Sequence, residues 1–297
     1  MTYSTVPTVH NRLTRIEAVL DYIHCHLDES LSVVNLAEKS CWSRWQLQRI
    51  FGEETGLTVA QYVRELRLSQ AAEKLLSTNQ RHLDIALECG FDSEISFSRA
   101  FKQMFACSPR EYRQRGRRQG LRTPLQYREH AYTLPQDAKN FMQIRIESKE
   151  AFALSGVFDW INGPFSATPN FLERVPNLWR TLELPSECDA SKTNPIGVIN
   201  THDHVQNPGQ LQYWAGYQGL NLGDHASIQV PAQEYAVIPV QGKVSSLESA
   251  VSWFIRHWLP ESNYNGVTGY ELEMYSSQYD PYSPSSYMEF WLPITPR

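Results

Sequence analysis

The chain has 297 residues, 41% of them hydrophobic, which is enough apolar side chain for two folded domains of roughly 100–200 residues each. No apolar run approaches the ~18 residues needed to span a bilayer, and the start "MTYSTVPTVHNRLTR" lacks a basic-then-apolar leader, so a cytoplasmic protein without a membrane partner is expected. The net charge of −5 is uneven: residues 1–125 hold 17 Lys+Arg against 14 Asp+Glu and the remainder 10 against 18, so the two halves differ in kind.

The first half reads as helices. Residues 12–27, "RLTRIEAVLDYIHCHL", place Leu13, Ile16, Val19, Leu20, Ile23 and Leu27 at helical spacing, and "LSVVNLAEKS" (31–40) is a short second helix. Ser43 caps a third, in which Leu47, Ile50 and Phe51 share the core face. Trp45, Gln48 and Arg49 share the opposite face, with Arg44 at its start. Arg and Gln grip guanine and adenine edges through paired hydrogen bonds, so a short helix, a turn and a capped Arg/Gln helix predict a helix-turn-helix. A long helix follows over 58–77, and then the pattern restarts.

"SRWQLQRIF" (43–51) returns fifty residues later as "SEISFSRAF" (93–101), and "TVAQY" (58–62) returns as "SPREY" (108–112). In the second copy Phe97, Ala100, Phe101 and Met104 make the core face, while Ile95, Ser98, Arg99 and Lys102 face outward behind Glu94. A bundle of chance look-alike helices would not repeat Ser, Arg, Phe and the exit motif in register. Two recognition helices on a ~20-residue linker helix, about 30 Å long, match successive major grooves one turn apart. One chain then reads an asymmetric double-stranded site as a monomer. Arg110, Arg113, Arg115, Arg117 and Arg118 bunch at the end of this module, in place to meet phosphates.

In the second half the period shortens. Strands are predicted at 143–148, 151–158, 196–200, 211–218, 235–242, 269–275 and 286–294, with helices at 170–183 and 246–260 and Pro176 at a kink or boundary of the first. The order strand, helix, strand, strand occurs twice, which predicts a curved sheet with two helices and a groove at the pseudo-twofold. Aromatic residues crowd this half, and Tyr213, Trp214, Tyr217 and Trp253 are candidates to line a pocket. Glu271 and Glu273 alternate with Leu272 and Met274, so both acids share one strand face, where a carboxylate buried among rings would favour a cationic or hydrogen-bond-donating ligand.

Catalytic motifs are missing: there is no G-x-S-x-G, P-loop or dinucleotide loop. "HCH" (24–26) and "HDH" (202–204) are poor metal pairs by direction or surroundings, and the cysteines at 25, 41, 89, 107 and 188 form no C-x-x-C. Cys41 beside the first recognition helix is expected as a small buried apolar residue. No metal, cofactor or enzymatic activity is expected.

The residues also carry a resemblance. "LSVVNLAEKSCWSRWQLQRIFGEETGLTVAQYVRELRLSQAAEKLL" and "DIALECGFDSEISFSRAFKQMFACSPREYRQ" resemble the AraC/XylS family of transcription activators over about residues 12–116. The resemblance implies seven helices in two helix-turn-helix units, with Trp45, Gln48 and Arg49 as base readers in the first and Arg99 in the second. Glu94 and Ile95 depart from the glutamines of close relatives; an acid accepts from cytosine but cannot donate to purines.

"FALSG", "QYWAGYQ", "PAQEYAVIPVQG", "YELEMY" and "MEFWLPI" are similar to the GyrI-like effector-binding domain over about 140–296, and the match makes Glu273 the pocket acid with Tyr275 its neighbour. The chain is therefore expected to be two-domain. An all-α seven-helix double helix-turn-helix domain spans 1–118, a linker 119–140, and an α+β GyrI-like domain of duplicated β-α-β-β units 141–297. The implied function is a ligand-responsive transcription activator of stress and multidrug-resistance genes, with double-stranded DNA, RNA polymerase and an amphipathic or cationic small molecule as partners. The alternatives are a GyrI-like small-molecule hydrolase, or a ligand-independent DNA- or origin-binding factor whose second half contacts proteins.

Overall fold

A computed structural model describes residues 9–29, 31–128, 141–163, 166–182, 194–202, 207, 209–220, 222 and 225–297. Cys188, His204 and residues 129–140 of the expected linker lie outside the described residues. Contacts divide the chain into two units. The first runs through residue 128 and takes back residues 141–145, and the second covers Ile146–Arg297.

The first unit holds helices α1 (Val9–Cys25), α2 (Val33–Lys39), α3 (Arg44–Thr55), α4 (Val59–Ser77), α5 (His82–Glu88), α6 (Glu94–Phe105) and α7 (Pro109–Arg115). The starts of α2, α3, α4, α6 and α7 follow from Ser or Thr side chains that satisfy amide groups without helical partners, whereas Arg81 ahead of α5 makes no such bond. Ser43 and Gln46 close a reciprocal capping box at α3, Ser108 and Glu111 another at α7, and Ser93 caps α6 alone.

The repeat extends to the backbone. The turn before each recognition helix carries one left-handed residue, Cys41 (φ 54°) in the first copy and Gly90 (φ 74°) in the second. After the recognition helices the same conformation falls on Gly56 (φ 76°) and Ala106 (φ 55°). Cys41 is exposed at this turn, not the buried apolar residue that was expected. The reason is that its backbone, and not its side chain, performs the task of the position.

α4 joins two cores. Tyr62, Val63 and Leu66 enter the first with Ile16, Leu36, Leu47 and Phe51. Leu68, Ala71, Ala72 and Leu75 are buried farther along, where α5, α6 and α7 pack. Edge-on and tilted rings, Phe91, Phe97, Phe101, Phe105 and Tyr112, fill the second core. Of the expected linker, the described residues form β1 (Gln119–Arg122) and β2 (Gln126–Tyr127). β2 pairs antiparallel with β3 (Phe141–Met142), which puts Leu125 and Phe141 into the first core.

The second unit is a sheet with helices. Its strands are β4 (Arg145–Lys149), β5 (Phe152–Ile161), β6 (Pro195–Asn200), β7 (Leu211–Gln218), β8 (Ala226–Val230), β9 (Gln233–Gln241), β10 (Tyr264–Gly266), β11 (Tyr270–Tyr275) and β12 (Tyr287–Pro296). The order across the sheet is β4-β9-β12-β11-β6-β7-β5-β8, with β10 beside β12. β5, β6 and β7 with α8 (Phe171–Thr181) form one β-α-β-β unit, and β9, β11 and β12 with α9 (Ser245–Trp253) form the other. They join at the antiparallel pair β6–β11, the expected duplication.

Two elements differ from expectation. Pro176 falls inside α8, where it removes one ladder hydrogen bond instead of marking a boundary. The second helix continues from α9 through a π-helical turn (Phe254–Trp258) into α10 (Leu259–Glu261). Pro260 cannot donate to the Arg256 carbonyl, and the helix widens just ahead of it.

Candidate functional site

The outward faces of α3 and α6 lie where the sequence pattern placed them. Leu47 and Phe51 are fully buried, whereas Trp45 on the same helix is 66% exposed. Arg44, Gln48 and Arg49 are also exposed, and Arg44, Trp45 and Gln48 border a groove of about 520 Å³ with Val33 and Val34 of α2. Arg49 is held at both ends of its guanidinium surface: Nε donates to Glu53 at 2.8 Å, and Cζ lies 5.3 Å from the Trp45 ring centroid.

On α6, Glu94, Arg99 and Lys102 are exposed, Ser98 is half-buried, and Ile95 is 83% exposed. Trp45 and Ile95 occupy the same position of the repeat, so each recognition helix opens with a large apolar side chain in solvent.

In the second unit β11 sorts its side chains by the period of two. Leu272 enters a core with Val198, Trp214 and Tyr235 on one face. Glu273 lies on the other face and is buried. The Tyr213 hydroxyl donates to Glu273 Oε2 at 2.6 Å, and the Tyr275 hydroxyl donates to the same oxygen. The Trp179 indole N–H, from α8, donates to the Tyr213 oxygen at 3.1 Å. Trp179 also meets the rings of Tyr275 and Tyr217 edge-on, at 5.7 and 6.5 Å. Tyr275 packs on Tyr279 at 4.7 Å, and the Tyr279 hydroxyl is buried with no hydrogen-bond partner among the described residues.

Burial raises the Glu273 carboxyl above the usual range, opposed by the two tyrosine hydrogen bonds. Glu271, two residues along the same face and half-buried, is pushed up to about 7 by burial and by Glu273. Burial and the neighbouring carboxylate hold the Tyr213 and Tyr275 hydroxyls well above their ordinary range, so both stay protonated donors. Both bonds land on Oε2, and Oε1 accepts none among the described residues. The arrangement is an acid at the floor of an aromatic cluster, with no cation paired to it among the described residues.

Tyr213, Tyr217, Glu273 and Tyr275 therefore come together, and two expected members do not join them. Trp214 follows Tyr213 in a strand, so it points to the opposite face, where it stacks on Phe158 at 4.6 Å. Trp253 is buried on α9, which packs against β9, and shares no hydrogen bond or ring contact with the cluster among the described residues. Sequence reasoning missed Trp179, although the apolar stripe Phe171, Val175, Leu178 and Trp179 carries the signal. It also missed Gly197, a glycine inside a strand and so a mark of close approach.

As for the histidine pairs, His24 bonds the Tyr62 hydroxyl at 2.6 Å and His26 bonds the Tyr22 carbonyl at 2.7 Å. His202 bonds Asn200 at 2.8 Å. Among the described residues no helix is long and apolar enough to cross a membrane.

A double helix-turn-helix ahead of an acid-floored sheet is the architecture of a DNA-binding regulator joined to an effector-binding domain. The description "Helix-turn-helix domain" matches residues 36–115, and "Integron-associated effector binding protein" matches residues 145–294, half of the chain. The chain belongs to the integron-associated effector binding protein family and carries an AraC-type helix-turn-helix domain in front of it.

Right origin-binding protein of Escherichia coli (strain K12) is 42% identical over 123 residues, 41% of this chain and 42% of that protein. The chain thus spans less than half the length of the first curated relatives it matches. Multiple antibiotic resistance protein MarA of Salmonella typhimurium is 38% identical over 98 residues, 33% of this chain and 77% of that protein. Among solved structures, SAV2435 bound to tetraphenylphosphonium shares 17% identity at a TM-score of 0.40, covering 51% of this chain and 93% of that one.

Proposed function

We propose that the chain is a ligand-responsive transcription activator: α3 and α6 bind an asymmetric double-stranded site as a monomer, and a lipophilic cation or amphiphile binds over Glu273. RNA polymerase is the protein partner this reading requires, and stress or multidrug-resistance genes are its targets. The functional division in this reading is a helical module over 1–118, a linker over 119–140 and an effector domain over 141–297, although residues 119–128 and 141–145 pack with the helical module.

The observation that carries the ligand half is Glu273 itself. A buried carboxylate costs several kcal/mol of desolvation unless it is paired. Here two tyrosine hydroxyls on one oxygen supply part of that compensation. Oε1 and the ring faces of Trp179, Tyr217 and Tyr275 are suited to a cation that sheds its water readily, through charge and ring quadrupoles together. A strongly hydrated ammonium would recover less. The DNA half rests on the exposed Trp45, Gln48 and Arg49 stripe set beside a buried Leu47 and Phe51.

The test has two arms on the full chain. In the first, tetraphenylphosphonium, a monocation with no hydrogen-bond donor, is titrated while the melting temperature is followed. A concentration-dependent rise is expected by mass action, and it should vanish in Glu273→Gln. A rise that survives that substitution removes Glu273 from the site. In the second arm, selection from random duplexes should enrich one asymmetric sequence. Enrichment of none removes the DNA-binding reading.

A further inference from the structure

Arg67 lies near the middle of α4, the helix that joins the two helix-turn-helix units. Its guanidinium reaches both of them. Nε donates to the Leu27 carbonyl at 2.8 Å and Nη2 donates to the Glu29 carbonyl, both just past the C-terminal end of α1. Nη1 donates to the Gly90 carbonyl at 3.0 Å, in the turn between α5 and α6. The donors of a guanidinium are fixed in one plane, so three carbonyls held by one fork are held relative to each other.

Gly90 is shaped for this contact. Its φ of +74° is the left-handed turn conformation, and a Cβ there would stand 2.7 Å from Arg67 Cζ. The second turn is thus closed directly onto the guanidinium. Beside this bridge the two helix-turn-helix units border a groove of about 610 Å³. His24, Leu27 and Asp28 line it on one side, Leu87 and Glu88 on the other, and Lys74 of α4 between them. α4 has no proline, glycine or π-turn at which to bend, so the freedom left to each helix-turn-helix unit is to rock where it packs on α4, and Arg67 is a strut that ties both to that helix.

We infer that Arg67 is a positioning residue for DNA recognition: by bridging the end of α1 to the turn before α6, it sets the angle and separation of α3 and α6, and so the half-site spacing the chain accepts. This rests on the DNA-binding reading above. One base pair of B-DNA advances the groove by about 3.4 Å and turns it by about 35°. A rigid pair of recognition helices must therefore reject an inserted base pair, whereas a pair free to rock against α4 tolerates it.

The experiment measures anisotropy of the full chain on its selected duplex, on versions with one or two base pairs inserted between the half-sites, and on a duplex keeping only the half-site of α3. The wild-type chain should lose about tenfold or more in affinity per inserted base pair. Arg67→Met should bind the native spacing about tenfold more weakly and lose less than about threefold on insertion. Both should bind the single half-site alike. A merely structural loss would weaken all the duplexes together and leave the spacing dependence unchanged, and that result overturns the inference.

If Arg67→Met does not fold, Arg67→Lys, which keeps the charge on a single ammonium without the planar fork, decides by the same comparison. If neither folds, Arg67 is a folding requirement and the inference also falls. A wild-type chain that enriches no sequence removes the DNA-binding reading itself, while spacing sensitivity that survives the substitution removes only the role of Arg67.

Discussion

Gly197 of β6 stands opposite Glu273 of β11 in the sheet register, and the missing side chain of the one is the space occupied by the other. A Cβ on Gly197 would lie 2.4 Å from the Tyr213 hydroxyl and 2.7 Å from Glu273 Oε2. Gly197→Ala should therefore push the tyrosine off the acid and leave a buried carboxylate with one donor fewer. The expected cost is about 1–3 kcal/mol, seen as a lower melting temperature, together with lost response to tetraphenylphosphonium. Unchanged melting and binding would show that the sheet relaxes around the methyl.

The acids fix the sign of a pH effect. Glu271 is raised from its ordinary 4.5 to about 7 and Glu273 is raised as well, so the folded domain holds more protons than the unfolded chain between these values. Stability from Glu271 is fully present below about 4.5 and is lost as pH rises through about 7, and Glu273, raised by burial, adds a change of the same sign. Cation affinity should run the other way and increase over the same interval as the carboxylates ionise. Parallel titrations of melting temperature and of tetraphenylphosphonium affinity check both slopes. Affinity that is flat with pH would mean the cation does not meet these carboxylates.

Arg49 is already oriented by Glu53 and Trp45 in the free chain. Arg49→Ala should weaken binding to the selected sequence by about 1–3 kcal/mol and change non-specific binding much less. An equal loss on both would reduce Arg49 to a phosphate contact.

Ile95 places an apolar side chain, 83% exposed, at the start of α6. Apolar groups in the major groove meet the thymine methyl. Replacing thymine by uracil in the half-site of α6 should cost the wild-type chain about 0.8 kcal/mol, the worth of one methyl, at a single position. Ile95→Ala should be indifferent to that swap. A wild-type chain indifferent to every such swap would leave Ile95 outside the groove.

Ala106 ends α6 at φ 55°, where its counterpart after α3 is Gly56 at φ 76°. A Cβ in that conformation costs about 1–2 kcal/mol, partly offset by the greater unfolded entropy of glycine. Ala106→Gly should thus stabilise the helical unit by up to about 1 kcal/mol, measured by chemical denaturation.

The sequence by itself determined what depends on near neighbours. The fifty-residue echo of Ser43, Arg49 and Phe51 in Ser93, Arg99 and Phe101, with its caps, is legible because caps and helix faces are set within one or two turns. The shared face of Glu271 and Glu273 is legible by the same logic for strands. So was the separation of Tyr213 from Trp214, since adjacent strand residues face opposite ways; grouping them by aromaticity overlooked that period.

Tertiary structure alone decided which distant residues meet. Trp179 reaches Tyr213 from 34 residues away, Tyr213 reaches Glu273 across 60, and Arg67 gathers carbonyls 40 residues behind it and 23 ahead. No local pattern encodes those meetings. They follow from the order in which strands pair and from the angle at which helices pack, and those are settled only when the whole core is buried at once.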